Sequence, residues 1–108
     1  MEKIEKTLKY TKLFNLYGKL LSSAQQEILS DYFFADLSIS EISENRNVSR
    51  AAVEDALSKG TARLDSIEES LGLSEKTMRI AEKTQELREI TKDEEQLRIL
   101  DEIMGELD

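Results

Sequence analysis

Ser49, Arg50, Ala51, Glu54, Asp55 and Ser58 share the polar side of an amphipathic stretch whose other side carries Ala52, Val53, Ala56 and Leu57. That polar side is where this chain could do chemistry on a nucleic acid. A guanidinium at Arg50 matches the edge of guanine or a phosphate, and Ser49, at the start of a helix, can bind a phosphate. Glu54 and Asp55 oppose this. A carboxylate can accept from cytosine, but two of them without flanking basic residues stand near phosphates of the same sign and mark a surface that meets protein. The helix therefore reads first as protein-contacting and second as DNA-reading. A separate electropositive candidate is Lys6, Lys9 and Lys12, with Lys3 and Lys19 on the same stretch. Such lysines suit the backbone of a structured RNA, which is held through phosphates and 2′-hydroxyls. Their plainer reading is a solvated helix face.

Catalysis finds no such set of groups. Histidine and cysteine are absent, so there is no imidazole base, no thiolate and no ordinary zinc site. The carboxylate pairs Glu68/Glu69 and Glu94/Glu95 are adjacent in sequence and point apart on a helix. Gly18, Gly60, Gly72 and Gly105 are isolated, which excludes a phosphate-cradling loop, and no calcium-ligand spacing occurs. The expectation is a protein that is not an enzyme, with no catalytic residue, metal or cofactor.

The elements that position Ser49 and Arg50 are legible around them. Ser38-x-x-Glu41 is a capping box, in which serine oxygen and glutamate side chain each satisfy the other's backbone amide. It starts a short helix with Ile39 and Ile42 inside. Asn47 falls where a left-handed residue would turn the chain, and asparagine tolerates that conformation. Ser49 then caps a second helix. A small residue at Ser43, the turn at Asn47 and a branched apolar side chain at Val53 have the spacing of a helix-turn-helix. Before it, Glu2 to about Leu21 reads as a first helix, and Ser22-x-x-Gln25 caps another to about Phe34. After it, Val53, Leu57, Gly60, Leu64, Ile67 and Leu71 recur at steps of four and three. That seam predicts a long rod beyond the head whose outer half needs covering, by the C-terminal helices or by a second chain in a homodimer. Gly72 suits a left-handed cap, Ser74 a new helix to about Ile90, and Thr91-x-x-Glu94 a last helix through Leu107.

Absence of proline, 35% charged residues and four glycines over 108 residues predict an all-α chain forming a single domain. Within it, residues 1–73 form the helix-turn-helix head with its long helix, and 74–108 an acidic helical extension packed on it. No apolar run approaches the ~20 residues of a membrane span, and MEKIEKTLKYTK lacks the apolar core of a secretory signal. A cytoplasmic protein without membrane insertion is expected. The net charge of −8 is uneven: residues 1–60 carry 8 Lys/Arg against 9 Asp/Glu, and residues 61–108 carry 7 against 14. A dedicated nucleic-acid binder usually shows a basic surface, because phosphate neutralisation supplies much of its affinity.

Residues 1 to about 73 resemble the YlxM family of small bacterial helix-turn-helix proteins, themselves similar to region 4 of sigma factors. The resemblance is carried by Phe14, Leu16 and Tyr17, LLSSAQQEIL at 20–29, DYFFADLSISEIS at 31–43, VSRAAVEDAL at 48–57 and SIEESLGL at 66–73. It implies a cytoplasmic, sigma-region-4-like helix-turn-helix bundle with an extended fourth helix and a C-terminal helical extension. It also implies association with the signal recognition particle pathway, with the particle's protein or RNA as partner, and a regulatory role. Where the family generally has alanine and glycine, this chain has Ser43 and Asn47. Ser49 and Arg50 match the family's Ser-Arg, whereas Ala51, Glu54 and Asp55 replace a more polar or basic set.

Overall fold

The computed structural model describes residues 2–107, and among them every regular element is helical. The chain divides into two compact units, Met1–Leu71 and Gly72–Asp108. The first holds α1 (Glu2–Tyr17), a 3-10 turn (Gly18–Leu20), α2 (Ser23–Phe33), α3 (Ile39–Arg46) and α4 (Arg50–Leu71). The second holds α5 (Leu73–Ile90) and α6 (Glu94–Leu107).

Local chemistry sets these boundaries. Two of the three expected capping boxes form: Gln25 N–H donates to Ser22 Oγ at 3.2 Å and Ser22 N–H to Gln25 Oε1 at 3.3 Å. At α3, Glu41 N–H donates to Ser38 Oγ at 3.1 Å and Ser38 N–H to Glu41 Oε1 at 3.0 Å. Asn47 sits at φ 54°, ψ 48°, the left-handed conformation that stops α3 and turns the chain. Val48 N–H then reaches the Ser43 carbonyl at 3.1 Å, and the Ser43 hydroxyl donates to the Val48 carbonyl. Ser43 thus ties the turn shut as well as being small. Ser49 caps α4 by accepting from Ala52 N–H at 3.0 Å.

Two cores hang on α4. Val53 is fully buried with Ile28 of α2 and Ile42 of α3, the plug between the two motif helices. Farther along, Leu64 and Ile67 are buried with Tyr10, Leu13 and Tyr17 of α1, Leu21, and Leu29 and Phe33 of α2. Each fully buried leucine or isoleucine here contributes about 1.5–3 kcal/mol relative to exposure. The cover expected for the outer half of this 22-residue helix from the C-terminal helices or a second chain is supplied as far as Ile67 by α1, which lies along it. Tyr10 donates to Asp65 at 2.8 Å and Tyr17 to Glu68 at 2.6 Å, so the two helices advance side by side in the same direction. Leu57 is partly buried against both cores, and Leu71 is exposed. At Gly60 the α2–α4 approach is so close that a Cβ would stand 2.7 Å from Leu29 Cδ1.

Three expected boundaries move. The first helix tightens into a 3-10 turn after Tyr17 and does not run on as α-helix to Leu21, with Leu21 N–H donating to the Gly18 carbonyl. Gly72, at φ 63°, directly precedes α5, so that helix starts at Leu73 and Ser74 lies inside it. Asp93, not Thr91, caps α6, accepting from Gln96 N–H at 3.0 Å, while the Thr91 hydroxyl donates back to the Leu87 carbonyl of α5. Aspartate one residue before the helix competes better for the orphan amides than a threonine already bonded to the preceding turn. Among the described residues of this second unit the buried side chains are Leu100 and Thr84, the latter donating to the Ile80 carbonyl at 2.7 Å.

Gly60→Val should lower stability by about 1–3 kcal/mol through overpacking against Leu29, read as a lower denaturant midpoint at unchanged slope. At the turn, Asn47→Ala should cost about 1 kcal/mol from left-handed strain while Asn47→Gly costs nothing. Equal thermal midpoints for the Ala and Gly variants would contradict the turn.

Candidate functional site

Arg50, Ala51 and Glu54 are exposed at the start of α4, as their spacing requires. Ser49 is exposed too; its oxygen accepts from Ala52 N–H, which leaves the hydroxyl hydrogen and one lone pair to offer a ligand. Arg50 borders a groove of about 470 Å³ whose other walls include Lys3 and Thr7 of α1, Tyr32 of α2, and Asp36, Ser38, Ile39 and Glu41. Beside it a second hollow of about 300 Å³ is lined by Lys6 of α1, Tyr32, Ile39, and Glu54, Ser58 and Thr61 of α4. Tyr32 and Ile39 belong to both. The lysine-bearing start of α1 and the first turns of α4, two separate candidates in the sequence, therefore meet on one surface.

That surface is mixed in sign. Lys3, Lys6 and Arg50 line it together with Asp36, Glu41 and Glu54. Glu41 is held ionised, its carboxyl below the usual range because it accepts from the Ser38 amide and hydroxyl. Asp55, next to Glu54, pairs with Lys59 at 3.2 Å on the same helix.

The lysines of α1 separate. Lys6 belongs to the surface, whereas Lys9 pairs with Asp65 of α4 at 3.0 Å and sits 5.0 Å from the Tyr10 ring centre. Hydrogen bonding to Asp65 raises the Lys9 pKa. The Tyr10 phenol is raised as well, first by burial and then by its bond to the same carboxylate. Lys12 is exposed. Of the α4 seam, Val53, Leu64 and Ile67 are buried, Leu57 is half-buried and Leu71 is exposed. Spacing along one helix gives no hint of Arg46. Its guanidinium donates to Asp31 through Nε at 2.6 Å and Nη2 at 3.1 Å, and to Glu27 through Nη1 at 3.0 Å. This fork fastens the last turn of α3 to α2. Among the described residues no three carboxylates converge as a metal site, and no helix is long and apolar enough to cross a membrane.

Comparison with known proteins places these features in company. The UPF0122 family, described as "Putative helix-turn-helix protein, YlxM / p13 like", matches residues 4–103. The match extends through α5 and most of α6, a segment in which the sequence alone shows no family signature. A UPF0122 protein of Mycoplasma capricolum is 41% identical over 73 residues, covering 68% of this chain and 65% of that protein. One from Acetivibrio thermocellus is 42% identical over 73 residues, 68% of this chain and 62% of the relative. One from Malacoplasma penetrans is 46% identical over 59 residues, 55% of each chain. The chain thus spans less than two thirds of the length of these curated relatives. No solved structure matches.

The Tyr10–Asp65–Lys9 network predicts alkaline sensitivity. Both folded-state pKa values are raised, so its contribution is complete below about pH 10 and is lost as pH climbs through the folded values. Tyr10→Phe should cost about 0.5–1.5 kcal/mol at neutral pH and flatten the decline above about pH 10. Denaturant midpoints at stepped pH check this, and a parallel decline in the variant would contradict it.

Proposed function

We propose that this chain, which belongs to the UPF0122 family of helix-turn-helix proteins, is a cytoplasmic, non-enzymatic adaptor. Its α1–α3–α4 surface docks on a protein of the signal recognition particle pathway and touches the particle's RNA at its basic edge. The observation that supports this reading is the mixture of signs on the shared surface, where Lys3, Lys6 and Arg50 line the hollows together with Asp36, Glu41 and Glu54. A phosphate backbone favours an uninterrupted positive field, and each carboxylate placed against it weakens the long-range attraction. A protein partner with the complementary pattern gains specificity from both signs. Apolar ground at Tyr32 and Ile39 between the charges adds the dry area that a polar rim alone lacks.

The pathway itself rests on the family resemblance and not on any distance in the fold. The RNA contact narrows from Lys6, Lys9 and Lys12 to Lys6 with Lys3 and Arg50, because Lys9 is engaged by Asp65 and Lys12 lines neither hollow of that surface. A DNA-reading role for Ser49, Arg50, Ala51 and Glu54 is the less favoured alternative, since Glu54 stands beside Arg50 on the face that would enter the groove.

The test is capture from bacterial extract on tagged full-length chain, with and without nuclease. The expected result is retention of the particle's protein after nuclease, and about tenfold weaker capture by Lys6→Glu and Arg50→Glu at unchanged thermal midpoint. Capture of neither protein nor RNA would end the pathway assignment. Loss of the protein together with digested RNA would end the docking role of this surface.

A further inference from the structure

The α5–α6 hairpin turns small and polar side chains inward from α5, with Thr84 buried and Thr77 and Ala81 half-buried, against Leu97, Leu100 and Met104 of α6. Its larger apolar side chains are left outside. Ile80 and Leu87 are 49% and 50% exposed on α5, and Ile99 and Ile103 are 45% and 39% exposed on α6. Seven-residue spacing puts Ile80 and Leu87 on one edge of α5, and four-residue spacing puts Ile99 and Ile103 on one edge of α6. With the helices antiparallel and the Thr84 and Leu100 sides turned inward, both edges rise on the same side of the hairpin. A single apolar face results.

Its borders are of opposite sign. Helical spacing places Lys76, Arg79 and Lys83 along the outer margin of the α5 edge, and Glu95, Glu102 and Glu106 along the outer margin of the α6 edge. The three-residue connection between α5 and α6 sets Lys83 roughly level with Glu102, and Arg79 roughly level with Glu106. Rotation by half a turn about an axis parallel to the helices lays this face on an identical one. It places α5 of one copy over α6 of the other, antiparallel, and brings each basic margin onto an acidic one. The face is complementary to itself.

From this we propose that the hairpin is a homodimerisation module, in which two copies form a four-helix bundle around Ile80, Leu87, Ile99 and Ile103. Every neighbouring pair of helices in that bundle is antiparallel, the arrangement that short connections favour, and the contact is isologous, so each pair occurs twice. Lys83 now pairs with Glu86 at 3.2 Å and Glu102 with Arg98 at 2.6 Å, both within one helix and largely solvent-exposed. Exposed pairs of this kind exchange partners at little cost. The inference is independent of the docking surface on the first unit.

Sedimentation of the full chain across a wide concentration range tests it. A reversible monomer–dimer equilibrium is expected, weakened about tenfold or more by Ile103→Asp. Lys83→Glu and Glu102→Lys should each weaken it about tenfold, because each sets like charges together twice. The double variant Lys83→Glu/Glu102→Lys should return to the wild-type constant, a recovery that misfolding of either single variant would not produce. A chain that stays monomeric at every concentration overturns the proposal. So does a dimer indifferent to the charge exchange.

Discussion

Leu64 and Ile67 must be removed from water, and α1 does it together with Leu21 and with Leu29 and Phe33 of α2. A helix as long as α4 outruns α3, its short partner in the turn motif, and its far half would otherwise carry an exposed apolar stripe. By lying alongside in the same direction, α1 converts that stripe into the main core, with Tyr10, Leu13 and Tyr17 as its contribution. Tyr10 and Tyr17 also end in hydroxyls that reach Asp65 and Glu68, so the contact has a polar margin that fixes its register. Everything at the other end follows. Once α1 is aligned, its first turns arrive beside the start of α4, and Lys3 and Lys6 come to share a surface with Arg50 and Glu54.

Features of the fold that depend on neighbours in the chain are legible in the amino-acid sequence. The two capping boxes, the left-handed turn at Asn47, the cap at Ser49 and the glycine at position 72 are each settled within a few residues. Where two local candidates compete, spacing does not decide. Thr91 and Asp93 both precede the last helix, and the aspartate wins because the threonine hydroxyl is already bonded into α5. Asp36 takes a left-handed conformation at φ 55° with no glycine or asparagine signal to announce it.

Features that depend on which elements meet are not legible in that way. Periodicity says that Leu64 and Ile67 are buried, yet it cannot say by what. The same limit hides the Arg46 fork onto Asp31 and Glu27, the capture of Lys9 by Asp65, and the juxtaposition of Lys6 with Glu54. The hairpin shows the limit from the other side. Met78, Ile80, Leu87 and Ile90 are its larger apolar positions on α5 after Leu73, but all four are exposed while Thr84 is inside. A helix of sparse apolar content packs its small residues where the backbones come close, and leaves the branched ones to line a surface.

Tryptophan is absent, and the three tyrosines, Tyr10, Tyr17 and Tyr32, all lie in the first unit. Intrinsic fluorescence and near-ultraviolet ellipticity are therefore dominated by the head, while far-ultraviolet ellipticity sums over the helices of both units. The hairpin is optically dark to the first pair of probes. Melting curves from the two kinds of signal thus resolve, without any added label, whether the two halves come apart together or in turn.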